Sequence, residues 1–342
     1  MPQICSDHGV NALPSKASSI ITKYMMPRFI SILASLLCCL MLAACVPAPE
    51  KPLRLGTNVW IGYEPFYLAR EINALDQDKV RLIEYTSSMP VLHAFRNNLL
   101  DAAALTLDEA LLVVQQVPDI SVVAVLDISN GADALLARPE IGSIQQLRGK
   151  TVAVENLATG GYLLSRALQL AGVPNSEITI RTLAADGHEA ALLNRNIAAV
   201  VSYDPQKTRM LANGANNLFD SSRIPGEIVD VLVVRNQALQ NKPHMLRHLL
   251  KGWQIAQQHL QRNRHDALVK MQARQRLNTI QIEAALRQLI FPGNEENQAL
   301  LGKSGPLQRT LLLLQQHMRT SQLLPANSAQ TLKLDPSWMA GS

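Results

Sequence analysis

The residues of this chain that could do chemistry gather in a few short segments. The richest is Asn58-Val59-Trp60-Ile61-Gly62-Tyr63-Glu64-Pro65-Phe66-Tyr67, where four aromatic rings crowd into a short loop. Rings beside a glycine suit the wall of a pocket for an organic molecule, and the Tyr63 hydroxyl adds a polar handle. Trp60, Gly62 and Tyr63 are assigned to that wall, while Phe66 and Tyr67, at the start of a helical pattern, suit the core. Two further loops fit polar capture. Ser87 and Ser88 precede one helix and Thr159-Gly160-Gly161 opens another, so hydroxyls and free backbone N–H groups stand where a helix favours a carboxylate, sulfonate or phosphate. Yet Glu64, Asp108, Asp127, Glu155, Asp204 and Glu227 fall on the same rim, without an arginine to clamp an anion. That favours an amine, a cation or an N–H-bearing ring such as a pyrimidine. Glu155, Tyr162, Tyr203 and Asp204 are assigned to the opposite wall. Each acidic residue taken singly fits a helix cap or an ion pair as well as it fits a ligand contact.

Catalytic patterns fail on inspection. His244 and His248 have the spacing of a zinc pair, but Met245 stands where a metalloprotease carries its general-base glutamate. Gly302-Lys303-Ser304 mimics the end of a phosphate loop, but Asn297 holds the first-glycine position and no strand precedes it. There is no G-x-S-x-G nucleophile elbow, and no metal or cofactor is implied.

The elements that must position these loops alternate. Strand patterns at 53–57, 80–85, 102–105, 121–126, 151–155, 178–183, 198–202 and 229–234 are separated by helical ones, which implies α/β architecture with mostly parallel sheets. The segment from 243 to 321 is almost wholly helical. In open α/β sheets ligands sit beyond the C-terminal ends of strands, where these loops lie.

The 342 residues exceed one average domain, and 47% apolar with 17% charged residues describes a folded body. A net charge of +5 with no Lys/Arg run gives no reason to expect nucleic acid as a partner. The cysteines, Cys5, Cys38, Cys39 and Cys45, leave everything after 45 free of thiols. Residues 29–44 form an uncharged apolar run after Lys23 and Arg28, shorter than the roughly 20 residues of a membrane-spanning helix, and read as a secretion signal within 1–44. Residues 1–24 are polar, unlike the start of such a signal, and Met25 or Met26 would begin a conventional one. Leu42-Ala43-Ala44-Cys45 resembles a bacterial lipobox, which implies lipidation of Cys45, and the Pro-rich 45–52 suits a tether.

The run Trp60-Ile61-Gly62-Tyr63-Glu64-Pro65-Phe66-Tyr67-Leu68-Ala69-Arg70-Glu71 resembles the first-lobe signature of ABC-importer substrate-binding proteins of the nitrate, sulfonate, taurine and thiamine-pyrimidine group, the SsuA-like and NMT1-like proteins. Thr86-Ser87-Ser88, Leu147-Arg148-Gly149-Lys150-Thr151-Val152-Ala153-Val154 and Ala198-Ala199-Val200-Val201-Ser202-Tyr203-Asp204-Pro205 continue the likeness in order. The resemblance implies a two-lobed periplasmic-binding-protein type II fold, flanked by helices and crossed twice by the chain. The crossings are expected near 136–139 and 231–235, giving lobe 1 as 53–137 plus 233–342 and lobe 2 as 138–232. It further implies a periplasmic, lipid-anchored monomer that closes on a small-molecule ligand and hands it to an ABC permease and ATPase complex. The alternatives are a sensory subunit feeding a membrane receptor and an enzyme on the same scaffold. Related enzymes of the thiamine-pyrimidine group carry a cysteine-rich iron motif that has no counterpart after Cys45.

Overall fold

The computed structural model describes residues 50–340 apart from 157 and 326; the apolar segment at 29–44, Cys45 and most of the tether lie outside the described residues. No helix among the described residues is long and apolar enough to cross a membrane.

Apolar runs form the first sheet. β1 (Leu53–Asn58), β2 (Val80–Tyr85) and β3 (Ala102–Thr106) run parallel with β1 in the middle. β3 reads Ala-Ala-Ala-Leu-Thr and is buried on both faces, as a covered parallel strand requires. Beyond it, β10 (Val229–Arg235) lies antiparallel between β3 and β4 (Ile120–Ser129). Two short strands, β11 (Leu289–Ile290) and β12 (Lys333–Leu334), both pair with β4. The second sheet has the order β7 (Thr179–Thr182), β6 (Thr151–Val154), β8 (Ala199–Ser202), β5 (Ala134–Ala137), β9 (Asn216–Asp220). Its β6, β7 and β8 are parallel, and β5 runs antiparallel to both β8 and β9. The two sheets flanked by helices match the expected fold class. The parallel character resides in the β1–β2–β3 and β6–β7–β8 units, because each strand that arrives from the other sheet inserts antiparallel.

Those arrivals come earlier than expected. The chain leaves the first sheet after Ser129 and enters the second at Ala134, so this crossing occupies 130–133, not 136–139. The return occupies 221–228, between β9 and β10, not 231–235. An apolar run gives no sign of which sheet takes it: residues 134–137 look like a connection in sequence but hydrogen-bond into the second sheet as β5.

Helices that follow the parallel strands place their N-termini toward the seam between the sheets: α1 (Glu64–Glu71), α2 (Ser88–Arg96), α3 (Leu107–Val114) and α4 (Thr159–Leu170). Then come α5 (His188–Leu193), α6 (Gln206–Ala212) and α7 (Asn236–Asn241). α8 (Pro243–Arg262) begins on a proline and buries Leu246, Leu249, Leu250 and Trp253. Phe66 of α1 packs on Trp253 with ring centroids 4.3 Å apart, so the second pair of aromatics in the 58–67 run is core, as its helical position implied. The helical segment continues through α9 (Arg264–Gln275), α10 (Thr279–Leu286), α11 (Asn294–Leu301) and α12 (Pro306–Thr320). Asn297, at the false phosphate-loop position, is a clamp on the sheet: its side chain takes the N–H of Val125 at 2.6 Å and donates to the Val125 carbonyl at 3.0 Å.

Candidate functional site

Five strands end on one line. The C-termini of β1, β3, β6 and β8, and the turn after β2, carry Asn58, Trp60, Tyr63, Ser88, Thr106, Glu109, Glu155, Asn156, Thr159, Gly160 and Tyr203 to the rim of a cavity of about 40 Å³. That holds a few water molecules. Residues from both sheets line it. Asp133 reaches it from the first crossing and Asp230 from the start of β10.

Side chains lock across the line. Glu155 accepts from the Ser88 N–H at 2.6 Å through Oε1 and from the Tyr203 hydroxyl at 2.5 Å through Oε2. Asn156 donates to Ser88 Oγ and to Glu109 Oε1, both at 2.9 Å. The hydroxyls of Thr106 and Thr159 are 2.7 Å apart, and Trp60 meets Tyr203 edge to face at 5.5 Å. Glu109 belongs to a capping box: Thr106 Oγ1 takes the Glu109 N–H, and Glu109 Oε2 takes the Thr106 N–H at 3.2 Å.

The site is acidic. Tyr63 donates to Asp230 Oδ1 at 2.5 Å, and Trp60 Nε1 reaches Asp127 Oδ2 at 3.3 Å. Asp127 and Asp230 are cross-strand partners in β4 and β10. Burial pushes both upward; the Asp127 charge raises Asp230 further, while the hydrogen bond from Asp230 and that from Trp60 hold Asp127 back. Burial, reinforced by Asp108 and Glu155, pushes Glu109 to about 8. Burial lifts Asp133 to about 6 and Asp108 to about 6. Lys207 is buried nearby, but its ammonium is turned to the Gly131 carbonyl and Gln288 Oε1. Among the described residues no group of His, Cys, Asp and Glu is placed to hold a metal.

Of the residues assigned from sequence, Trp60, Tyr63, Ser88, Glu155, Thr159, Gly160 and Tyr203 come together at the cavity. Four lie off its wall. Gly62 is beneath it: a Cβ there would intrude on the Asp127 carboxylate and the Trp60 ring nitrogen. Ser87 is the buried N-cap of α2, without a side-chain cap bond. Tyr162 lies in a separate groove, donating to Glu227 Oε2 at 2.5 Å beside Arg166. Asp204 accepts the Thr208 N–H at 3.0 Å, at the start of α6. Glu64, also placed on the rim, is buried against Arg274 and Gln275. The sequence reading did not select Asn58, Thr106, Glu109, Asp133, Asn156, Val201 or Asp230. The Thr106-x-x-Glu109 spacing was a legible signal; Asp133 and Asp230 had none.

A family model described as the NMT1-like family matches residues 46–273. No curated protein matches the sequence. Among solved structures, the alkanesulfonate-binding protein SsuA from Xanthomonas axonopodis pv. citri, bound to MOPS, is similar with a TM-score of 0.70 and 17% identity, over 84% of this chain and 97% of that one. The periplasmic aliphatic sulphonate-binding protein SsuA from Escherichia coli gives 0.65 and 18%, over 84% and 96%. The desulfurization enzyme DSZB gives 0.60 and 14%, also over 84% and 96%. At these identities the likeness is one of fold.

Proposed function

The chain belongs to the NMT1-like family, and on that premise we propose that it is an extracytoplasmic solute-binding lipoprotein, tethered through Cys45, that closes two lobes on a small polar organic molecule for ABC-type import. The observation that carries this reading is the cavity built from the C-terminal strand ends of both sheets, with Trp60 from one and Tyr203 from the other closing it. The two crossings, at 130–133 and 221–228, form a hinge in this reading, and the hydrogen bonds across the seam belong to the closed state. The partners are then a permease and its ATPase, and the protein works as a monomer outside the cytoplasmic membrane.

The test is native mass spectrometry of the full chain purified in detergent from its own envelope. A co-purifying small molecule, released on unfolding and lost in a Trp60→Ala, Tyr203→Ala double variant, is expected. Protein that carries no small molecule, and whose uptake-deficient phenotype is nil on deletion, overturns the proposal.

A further inference from the structure

Resting on the solute-binding reading, we infer that the molecule this cleft takes is a small organic cation, an ammonium or amidinium whose N–H groups are received by Asp133, Glu109 and the Asn156 side-chain carbonyl.

Most of the side-chain donors that an anion would need are already spent on the chain's own acceptors. Of the two helix starts that line the cavity, at Ser88 and at Thr159–Gly160, the one at Ser88 is occupied by the chain's own Glu155 carboxylate. The Tyr63 and Tyr203 hydroxyls donate into Asp230 and Glu155. The Asn156 amide N–H₂ goes to Ser88 and Glu109, which also settles the orientation of that amide. What remains without a partner is acceptor. Asp133 Oδ2 and Asn156 Oδ1 both belong to lining residues and both lack a hydrogen-bond partner, although the residues are only 5% and 7% exposed. A buried acceptor left without a donor is costly, and an N–H-bearing ligand satisfies both.

Charge points the same way. Glu109, Asp133, Glu155 and Asp230 line the cavity with no Lys or Arg among the described lining residues. A sulfonate or nitrate would face the ionised Asp133 at close range, whereas a cation is attracted by it. At pH 7.5 burial keeps a proton on much of Glu109, raised to about 8, while Asp133, raised only to about 6, is already ionised, and an incoming cation displaces the Glu109 proton.

The experiment is isothermal calorimetry on the full chain at pH 7.5 with guanidinium, ethylammonium and 4-aminopyridinium, each set against ethanesulfonate and nitrate. The expected result is that at least one cation binds and neither anion does. Asp133→Asn and Glu109→Gln, separately, are expected to lower that cation's affinity tenfold or more. Repetition in buffers of different ionisation enthalpy is expected to show protons released on binding, a readout that does not depend on the variants folding. Preferential binding of either anion, or no binding by any cation, overturns the cationic ligand. The solute-binding reading is judged apart from this, by the co-purifying molecule described above, so either can fail while the other stands.

Discussion

Glu155, at the end of β6, accepts a 2.6 Å hydrogen bond from the backbone N–H of Ser88, at the start of α2. One residue comes from the second sheet and the other from the first, so a carboxylate of the chain itself sits where helix N-termini elsewhere take ligand anions. A hydrogen bond to a charged acceptor contributes about 1.5–3 kcal/mol. Glu155→Ala is therefore expected to release the seam and raise the radius of gyration in small-angle scattering. Glu155→Gln, whose amide oxygen can still accept from Ser88 and whose N–H₂ can donate to the Tyr203 oxygen, should largely preserve it. Identical scattering from the parent and Glu155→Ala would show that this bond does not hold the sheets together.

Trp60 closes the cavity edge-on to Tyr203 while its ring nitrogen anchors to Asp127. Trp60→Ala should weaken binding of the co-purifying molecule by about 1–3 kcal/mol, in the range of a buried aromatic anchor. Unchanged affinity by calorimetry removes Trp60 from the binding wall.

Gly62 matters for what is packed on it. A methyl group at this position would intrude on Asp127 and Trp60 together. Gly62→Ala should cost about 1–3 kcal/mol of stability, the usual penalty for overpacking, and should alter tryptophan fluorescence. A variant as stable as the parent in urea would mean that the loop yields without strain.

Stability should depend on pH with a definite sign. Glu109 rises to about 8 and Asp133 to about 6 in the fold because burial disfavours their charged forms. Their contribution is complete below the ordinary carboxylate range and is lost as pH rises toward those values. His188 and His317, held low by burial, act oppositely: their contribution fades as pH falls through the ordinary histidine range. Above about pH 7 the histidines of both states are largely neutral, so Glu109 and the buried Asp127–Asp230 pair govern together, and the unfolding midpoint in urea should fall between pH 7 and 8.5. Glu109→Gln should flatten that fall. A parent midpoint that rises over this interval contradicts the assignment.

Arg274 of α9 reaches back to α1, pairing with the buried Glu64 at 3.2 Å and lying over the Tyr67 ring, while also bonding Glu84. Arg274→Ala leaves Glu64 deep in the fold with only Gln275 as partner, and should destabilise by about 3–5 kcal/mol. Binding affinity should stay near that of the parent, since this pair is not on the cavity wall. Stability within about 0.5 kcal/mol of the parent would show that the pair is replaceable.

Much of the fold is legible in the order of residues along the chain. The alternation of strand and helical patterns located β1, β2, β3, β6, β7, β8 and β10 to within a few residues, because all but the exposed β7 carry apolar or alternating residues bounded by turn-forming ones. The strand β9, Asn216–Asp220, escaped because its composition is polar and its strand character comes from pairing with β5. Tyr162 misled for a related reason. It lies in the first turn of a helix that does begin at the seam, yet its direction around that helix carries it to Glu227 and Arg166.

The sequence by itself determined the elements, the aromatic loop at 58–67 and the capping box that orients Glu109, since all of these depend on neighbours a few residues apart. Only the tertiary structure decided which carboxyl groups share one cavity. Asp127 and Asp230 meet because β10 returns to lie antiparallel beside β4, more than ninety positions along the chain, and Asp133 joins them because the crossing comes at 130–133. Such encounters follow from how two sheets accept strands from each other, and no local spacing encodes that choice.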